Sequence, residues 1–130
     1  MAAKFESQTQ QAGNMRSIWI AGVAHALIGS FLLFLTLHPL RDALDAHALE
    51  TAKVGYAWQA MMGVIAMIAA AATRARIAGL LIVGGVAASM AMLSYIIFTG
   101  AQPAIIIIVP IGGMIATIGV AMLLFAKPER

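Results

Sequence analysis

The sequence predicts an all-α membrane protein, a four-helix transmembrane bundle with a short amphipathic surface helix between its first and second spans. Of its 130 residues, 62% are hydrophobic and only 10% charged, against roughly 25% charged in a soluble domain. Eight Lys/Arg and five Asp/Glu could not cover the large surface of so short a chain for water. The apolar residues also gather into four runs, each near the about 20 residues that cross a bilayer as a helix.

Residues 1–16 include Gln8, Gln10, Gln11, Gly13 and Asn14 with little to bury, and read as a polar N-terminal tail, mobile or lying on the surface. Residues 17–37 carry no formal charge, and Trp19 stands near their start at the depth of an interfacial aromatic. The run is too long for a signal-peptide core, and His38-Pro39-Leu40-Arg41 follows it in place of a small-residue cleavage pattern. It is therefore a retained first span. Residues 38–53 hold Arg41, Asp42, Asp45, His47, Glu50 and Lys53, and Leu37, Leu40, Leu44 and Ala48 recur between the charges at spacings of three and four. That pattern predicts the surface helix, with Pro39 in its first turn.

The second span covers residues 54–73. Only Arg74, Ala75 and Arg76 separate it from the third, 77–98, so these two helices are antiparallel neighbours. Thr99-Gly100-Ala101-Gln102-Pro103 makes the last turn, residues 104–126 form the fourth span, and the basic end 127–130 closes the chain. Lys4, Arg16, Arg74, Arg76, Lys127 and Arg130 fall on one side of the membrane, and Arg41 and Lys53 on the other. The positive-inside rule puts both termini in the cytoplasm, which for a bacterial chain means the inner membrane. With no cysteine, disulfides, thiolate nucleophiles and thiolate metal sites are excluded. A scattered net charge of +3 does not make a nucleic-acid surface.

Hydrocarbon gives helices no hydrophobic reason to associate, so their contact faces favour small residues. Such rows run through Gly22, Ala26 and Ser30; Gly55, Gly63, Ala66 and Ala70; Gly84 and Ala88; Gly112 and Ala116; and Gly113, Thr117 and Ala121. They predict seams, either within one bundle or towards a second copy or partner. Ile105 to Val109 are five consecutive β-branched residues suited to lipid or a partner. Pro110 inside the fourth span predicts a helix break that Gly112 and Gly113 absorb; such breaks serve packing or, in transporters, ion and substrate sites.

An ionisable residue deep in a span is a functional suspect. His25 is the one such residue here, read either as a neutral imidazole bonded to a neighbouring helix through Gln59 or Ser89, or as a proton-relay or ligand group. His38 lies some 20 Å further along the helix, and His38 and His47 stand about half a turn out of phase, so a bis-histidine site is disfavoured. No span contains Asp, Glu, Lys or Arg, which argues against ion-coupled transport. Asp42, Asp45, Glu50, His38 and His47 share one surface segment without a nucleophile motif, phosphate loop or metal spacing, so no catalytic, cofactor or metal residues are assigned. Tyr56, Trp58 and Tyr95 read as an outer interfacial belt.

Several patterns resemble domain-of-unknown-function family 423, small bacterial membrane proteins whose eukaryotic relatives are called transmembrane protein 256. The family's Thr-Pro-Ile-Gly-Gly-like motif with a Gly six positions on is similar to Val109-Pro110-Ile111-Gly112-Gly113 and Gly119. Its Ser-Leu-Tyr-like element resembles Leu93-Ser94-Tyr95, and its Glu-Thr-Ala-like stretch resembles Glu50-Thr51-Ala52, followed by Tyr56 to Gln59. The likeness spans roughly residues 17–126. The family's Ala-His-Ala-Leu-like quartet occurs twice, at Ala24-His25-Ala26-Leu27 and Ala46-His47-Ala48-Leu49. Its early second-span His is Ala60 or Met62 here, depending on the alignment, and its Trp after the last Gly is Val120. The resemblance implies four spans and supplies no reaction.

The residues thus favour a non-enzymatic accessory or assembly subunit packed beside a larger membrane complex. A passive channel or small-molecule carrier lined by His25, Gln59 and Pro110 to Gly113 is the second reading. A lipid- or quinone-binding protein using Leu40 and Leu44 on the surface helix is the third.

Overall fold

The computed structural model describes residues 1–129. The chain forms α1 (Ala2–Leu37), α2 (Ala46–Ala72), α3 (Arg76–Thr99) and α4 (Ile108–Met122), the last flanked by 3-10 turns at Ala104–Ile107 and Leu123–Phe125. Counting those turns with α4, all four elements are long and apolar enough to cross a membrane. The predicted all-α bundle is therefore observed, with differences at its edges.

The helices pack as two hairpins. α1 lies along α2, α3 lies along α4, and α2 and α3 join the pairs, with α1 also touching α3. Within each hairpin the backbones approach so closely that glycine is required. A Cβ added at Gly29 would lie 2.6 Å from Ala60 N and 2.8 Å from the Tyr56 carbonyl oxygen. One added at Gly63 would lie 2.6 Å from the Gly22 carbonyl oxygen and 3.0 Å from Ala26 Cα. The second hairpin repeats this arrangement, since a Cβ at Gly85 would meet the Gly112 carbonyl oxygen at 2.5 Å and Ala116 N at 2.6 Å. One at Gly119 would meet the Ala78 carbonyl oxygen at 2.8 Å. Gly22, Ala26, Gly63, Gly112 and Ala116 thus stand in seams as the spacing predicted.

Ser30, Gly84 and Ala88 do not. Ser30 and Ala88 are exposed, and a Cβ on Gly84 would meet nothing within 4 Å. The contacting residues are their neighbours Gly29, Gly85 and Ser89. Two small-residue rows run side by side on these helices, and tertiary packing, which spacing alone does not encode, selects between them. On α4 the row of Gly113, Thr117 and Ala121 likewise lies off the α3 seam, and space beside Gly113 is open.

The polar N-terminal stretch is helical and continuous with the first span. Its Ala, Lys, Glu and Gln residues favour helix, Ser7 and Thr9 hydroxyls bond back to preceding carbonyls, and Gly13 alone does not interrupt it. At 1.5 Å per residue the 36-residue α1 is about 54 Å long, well beyond the about 30 Å hydrocarbon thickness. Gln8, Gln11 and Met15 come beside Thr73 and Arg74 at one end of the bundle.

The predicted surface helix is absent. Leu40 and Leu44 lie in a turn, where Leu44 N bonds the Leu40 carbonyl at 3.1 Å and the Leu44 side chain packs on the core. Ala48 belongs to the first turn of α2. Asp45 explains the difference, because its carboxylate accepts from Ala48 N at 2.8 Å and caps α2 at residue 46, where the sequence suggested 54. The polar periodicity of 46–53 is the outer end of a long helix. Within the fourth span the helical geometry changes from 3-10 to α just before Pro110 and not at Gly112 and Gly113. Pro110 sits in the first turn of α4, where a missing N–H is tolerated, while Gly112 and Gly113 are regular helix.

Gly29→Ala and Gly85→Ala should each lower stability by about 1–3 kcal/mol through overpacking, whereas Gly84→Ala should not lower it. Reversible unfolding in mixed detergent micelles measures both effects.

Candidate functional site

The centre of the bundle holds a polar tie among three helices. α1 presents His25 between its seam residues Gly22 and Gly29. α2 presents Gln59 one turn before Gly63, and α3 contributes the Val83 carbonyl. The imidazole Nε2 lies 3.2 Å from the Val83 oxygen, and Nδ1 lies 3.2 Å from Gln59 Nε2. A carbonyl can only accept and an amide N–H₂ can only donate. Nε2 therefore carries the proton and donates to Val83, while Nδ1 accepts from Gln59. The ring is a neutral imidazole with both nitrogens engaged.

His25 and Gln59 are thus brought together as the sequence suggested, and Ser89 is not part of their pair. Its hydroxyl donates to the Val109 carbonyl at 2.8 Å, immediately before Pro110, and ties α3 to α4 next to the Gly85–Gly112 contact. The Val83 carbonyl escaped sequence reasoning because every residue carries one and only packing selects it. A third tie was also missed. Tyr56 is 1% exposed, and its hydroxyl lies 3.2 Å from Ser94 Oγ, linking α2 to α3. Tyr56 is therefore a core residue and not an interfacial one; with α2 starting at Ala46, it stands three turns inside the helix.

Gln59 is 5% exposed, and its Oε1 is buried with no hydrogen-bond partner among the described residues. That oxygen is the spare chemical capacity of the site, able to accept one bond from a donor. The remaining polar residues stay apart. His38 lies against Phe34 with the ring centroids 4.6 Å apart and the planes tilted by 49°, His47 is exposed, and Lys53 pairs with Glu50 at 2.7 Å on the surface. Among the described residues no three His, Cys, Asp or Glu side chains gather into a metal-binding group.

A groove of about 500 Å³ lies on the outside of the bundle between α2 and α4, lined by Trp58, Pro110, Gly113, Met114, Thr117 and Ile118. It arises because α4 packs chiefly on α3. Trp58, expected as a belt anchor, forms its α2 wall while also packing against the core. Comparison with protein families, with curated proteins and with solved structures finds no match for the chain.

His25→Ala removes one partner from two helices at once and should cost about 1–2 kcal/mol. Gln59→Leu keeps the volume, removes the unpaired Oε1 and should cost less than His25→Ala. Thermal unfolding of the two variants in one detergent orders them, and the reverse order would contradict this geometry.

Proposed function

We propose that the protein is a non-enzymatic accessory or assembly subunit that packs against a larger membrane complex, in a bacterial inner membrane with both termini cytoplasmic. The observation that carries this reading is the α2–α4 groove. Its floor offers Gly113 with open space above it, its walls are Trp58, Met114 and Ile118, and small residues with open backbone are what a neighbouring membrane helix packs against. The polar side chains of the bundle support the same role, because His25, Ser89 and Tyr56 are engaged with their own helices. Large apolar residues such as Ile68, Leu80 and Ile118 face outward. The distribution of Lys and Arg supports the orientation, and the resemblance of Val109 to Gly113 to the family-423 motif supports a four-span protein of that group.

Gly113→Leu should fill the groove without disturbing the α3 seam. After native membranes are solubilised in mild detergent, the wild-type chain is expected to migrate in an assembly larger than itself, and the variant to be released from it. Recovery of the wild-type chain solely as a free monomer would contradict the proposal.

The unpaired Gln59 Oε1 favours one second reading, a passive channel or carrier whose route passes His25 and Gln59. In proteoliposomes, that reading requires solute flux above empty vesicles and a change in flux on Gln59→Leu.

A further inference from the structure

At the end of the bundle where α2 turns into α3, the chain folds its C-terminal residues back across the turn. The Glu129 N–H donates to the Ala72 carbonyl at 2.8 Å, Thr73 and Pro128 form an isolated antiparallel bridge, and the Glu129 carboxylate accepts from Arg74 Nε. Behind this strap lies a hollow of about 640 Å³ lined by Arg74, Ala75, Ala126, Lys127, Pro128 and Glu129. A second hollow, about 570 Å³, shares Arg74, Ala75 and Ala126 and runs on past Arg76 to Ile77, Met122 and Phe125.

Together the two hollows form one recess with a cationic head and an apolar limb. Among the described residues that line it, Arg74, Arg76 and Lys127 stand against one carboxylate, that of Glu129, and neither Arg76 nor Lys127 is ion-paired with a described residue. The limb is open, with Ile77 and Phe125 64% and 87% exposed. The recess lies at the helix ends, the level at which lipid headgroups meet acyl chains.

We propose that this recess binds one anionic phospholipid, its phosphate on Arg74, Arg76 and Lys127 and an acyl chain along Ile77, Met122 and Phe125. Charge complementarity selects an anionic headgroup, because a zwitterionic lipid brings its own ammonium among three cations. The apolar limb continuous with the head selects a lipid over a free phosphate ion. Arginine suits the phosphate, since its planar fork can donate two parallel bonds to it. Glu129 competes for the same Arg74, so lipid binding and the strap contact are coupled: a phosphate on Arg74 weakens the hold of Glu129 on the α2–α3 turn.

The test is native mass spectrometry of the full-length chain, with lipid retention read after adding dioleoyl phosphatidylglycerol or dioleoyl phosphatidylcholine. The expected result is one retained phosphatidylglycerol, favoured over phosphatidylcholine by about tenfold. The double variant Arg76→Gln, Lys127→Gln should reduce the preference to near unity while circular dichroism shows an unchanged helix content. Glu129→Gln, which frees Arg74, should raise phosphatidylglycerol retention. Equal retention of the two lipids by the wild-type chain, or an unchanged preference in the double variant, would overturn the proposal. Displacement of phosphatidylglycerol by millimolar inorganic phosphate would overturn the lipid assignment in favour of a phosphate site.

Discussion

A bilayer interior offers no water, so a polar group placed there is costly unless a partner within the protein satisfies it. His25 is where this constraint acts most strongly. Its ring has two nitrogens of opposite character, and the fold supplies an acceptor from α3 and a donor from α2, each at 3.2 Å. A single side chain on α1 thereby sets the rotation of three helices relative to one another. If α2 turned by one residue, Gln59 would leave Nδ1; if α3 slid by a turn, the Val83 carbonyl would leave Nε2.

Such directional bonds need helices close enough to reach across, and the glycine seams provide that proximity. Gly22, Gly29 and Gly63 bring α1 and α2 into backbone contact on either side of His25, and Gly85, Gly112 and Gly119 do the same for α3 and α4 around the Ser89–Val109 bond. Packing and hydrogen bonding thus reinforce each other in both hairpins. The hairpins differ in what they leave free. The first is locked to α3 by His25 and Tyr56, whereas α4 hangs on α3 and leaves an open groove towards α2. An unpartnered groove on one side, and an imidazole and hydroxyls engaged with their own helices on the other, fit a protein that acts through its surface.

Much of this was legible in the sequence. Four spans, the antiparallel α2–α3 pair, His25 as the deep polar residue and Gln59 as one of its two candidate partners follow from charge gaps, run lengths and the scarcity of polar residues in hydrocarbon. Other features were not legible, for separate physical reasons. Asp45 carries no mark that distinguishes an N-cap from one charge of an amphipathic face, so the pattern alone starts the second helix at 54 and suggests a surface helix where the structure has a turn. Adjacent small residues such as Gly84 and Gly85 look alike until a neighbour selects one. Ile105 to Val109 extend the apolar run and so set Pro110 inside a helix by pattern alone, although Ile105 to Ile107 form a 3-10 lead-in. By polarity alone Ser89 is as good a candidate partner for His25 as Gln59; the structure gives it the Val109 carbonyl instead, and sequence holds no signal for which carbonyl a hydroxyl will find.

The central claim is that His25 is a neutral, fully engaged tie among three helices. Solid-state NMR of the chain in bilayers at neutral pH, with ¹⁵N-labelled histidine and the signal assigned through His25→Asn, tests it most directly. The account predicts a protonated Nε2 and an unprotonated, hydrogen-bonded Nδ1, with through-space transfer from Nδ1 to the Gln59 side-chain amide. A proton on Nδ1 alone, a doubly protonated ring, or no transfer to Gln59 would contradict it.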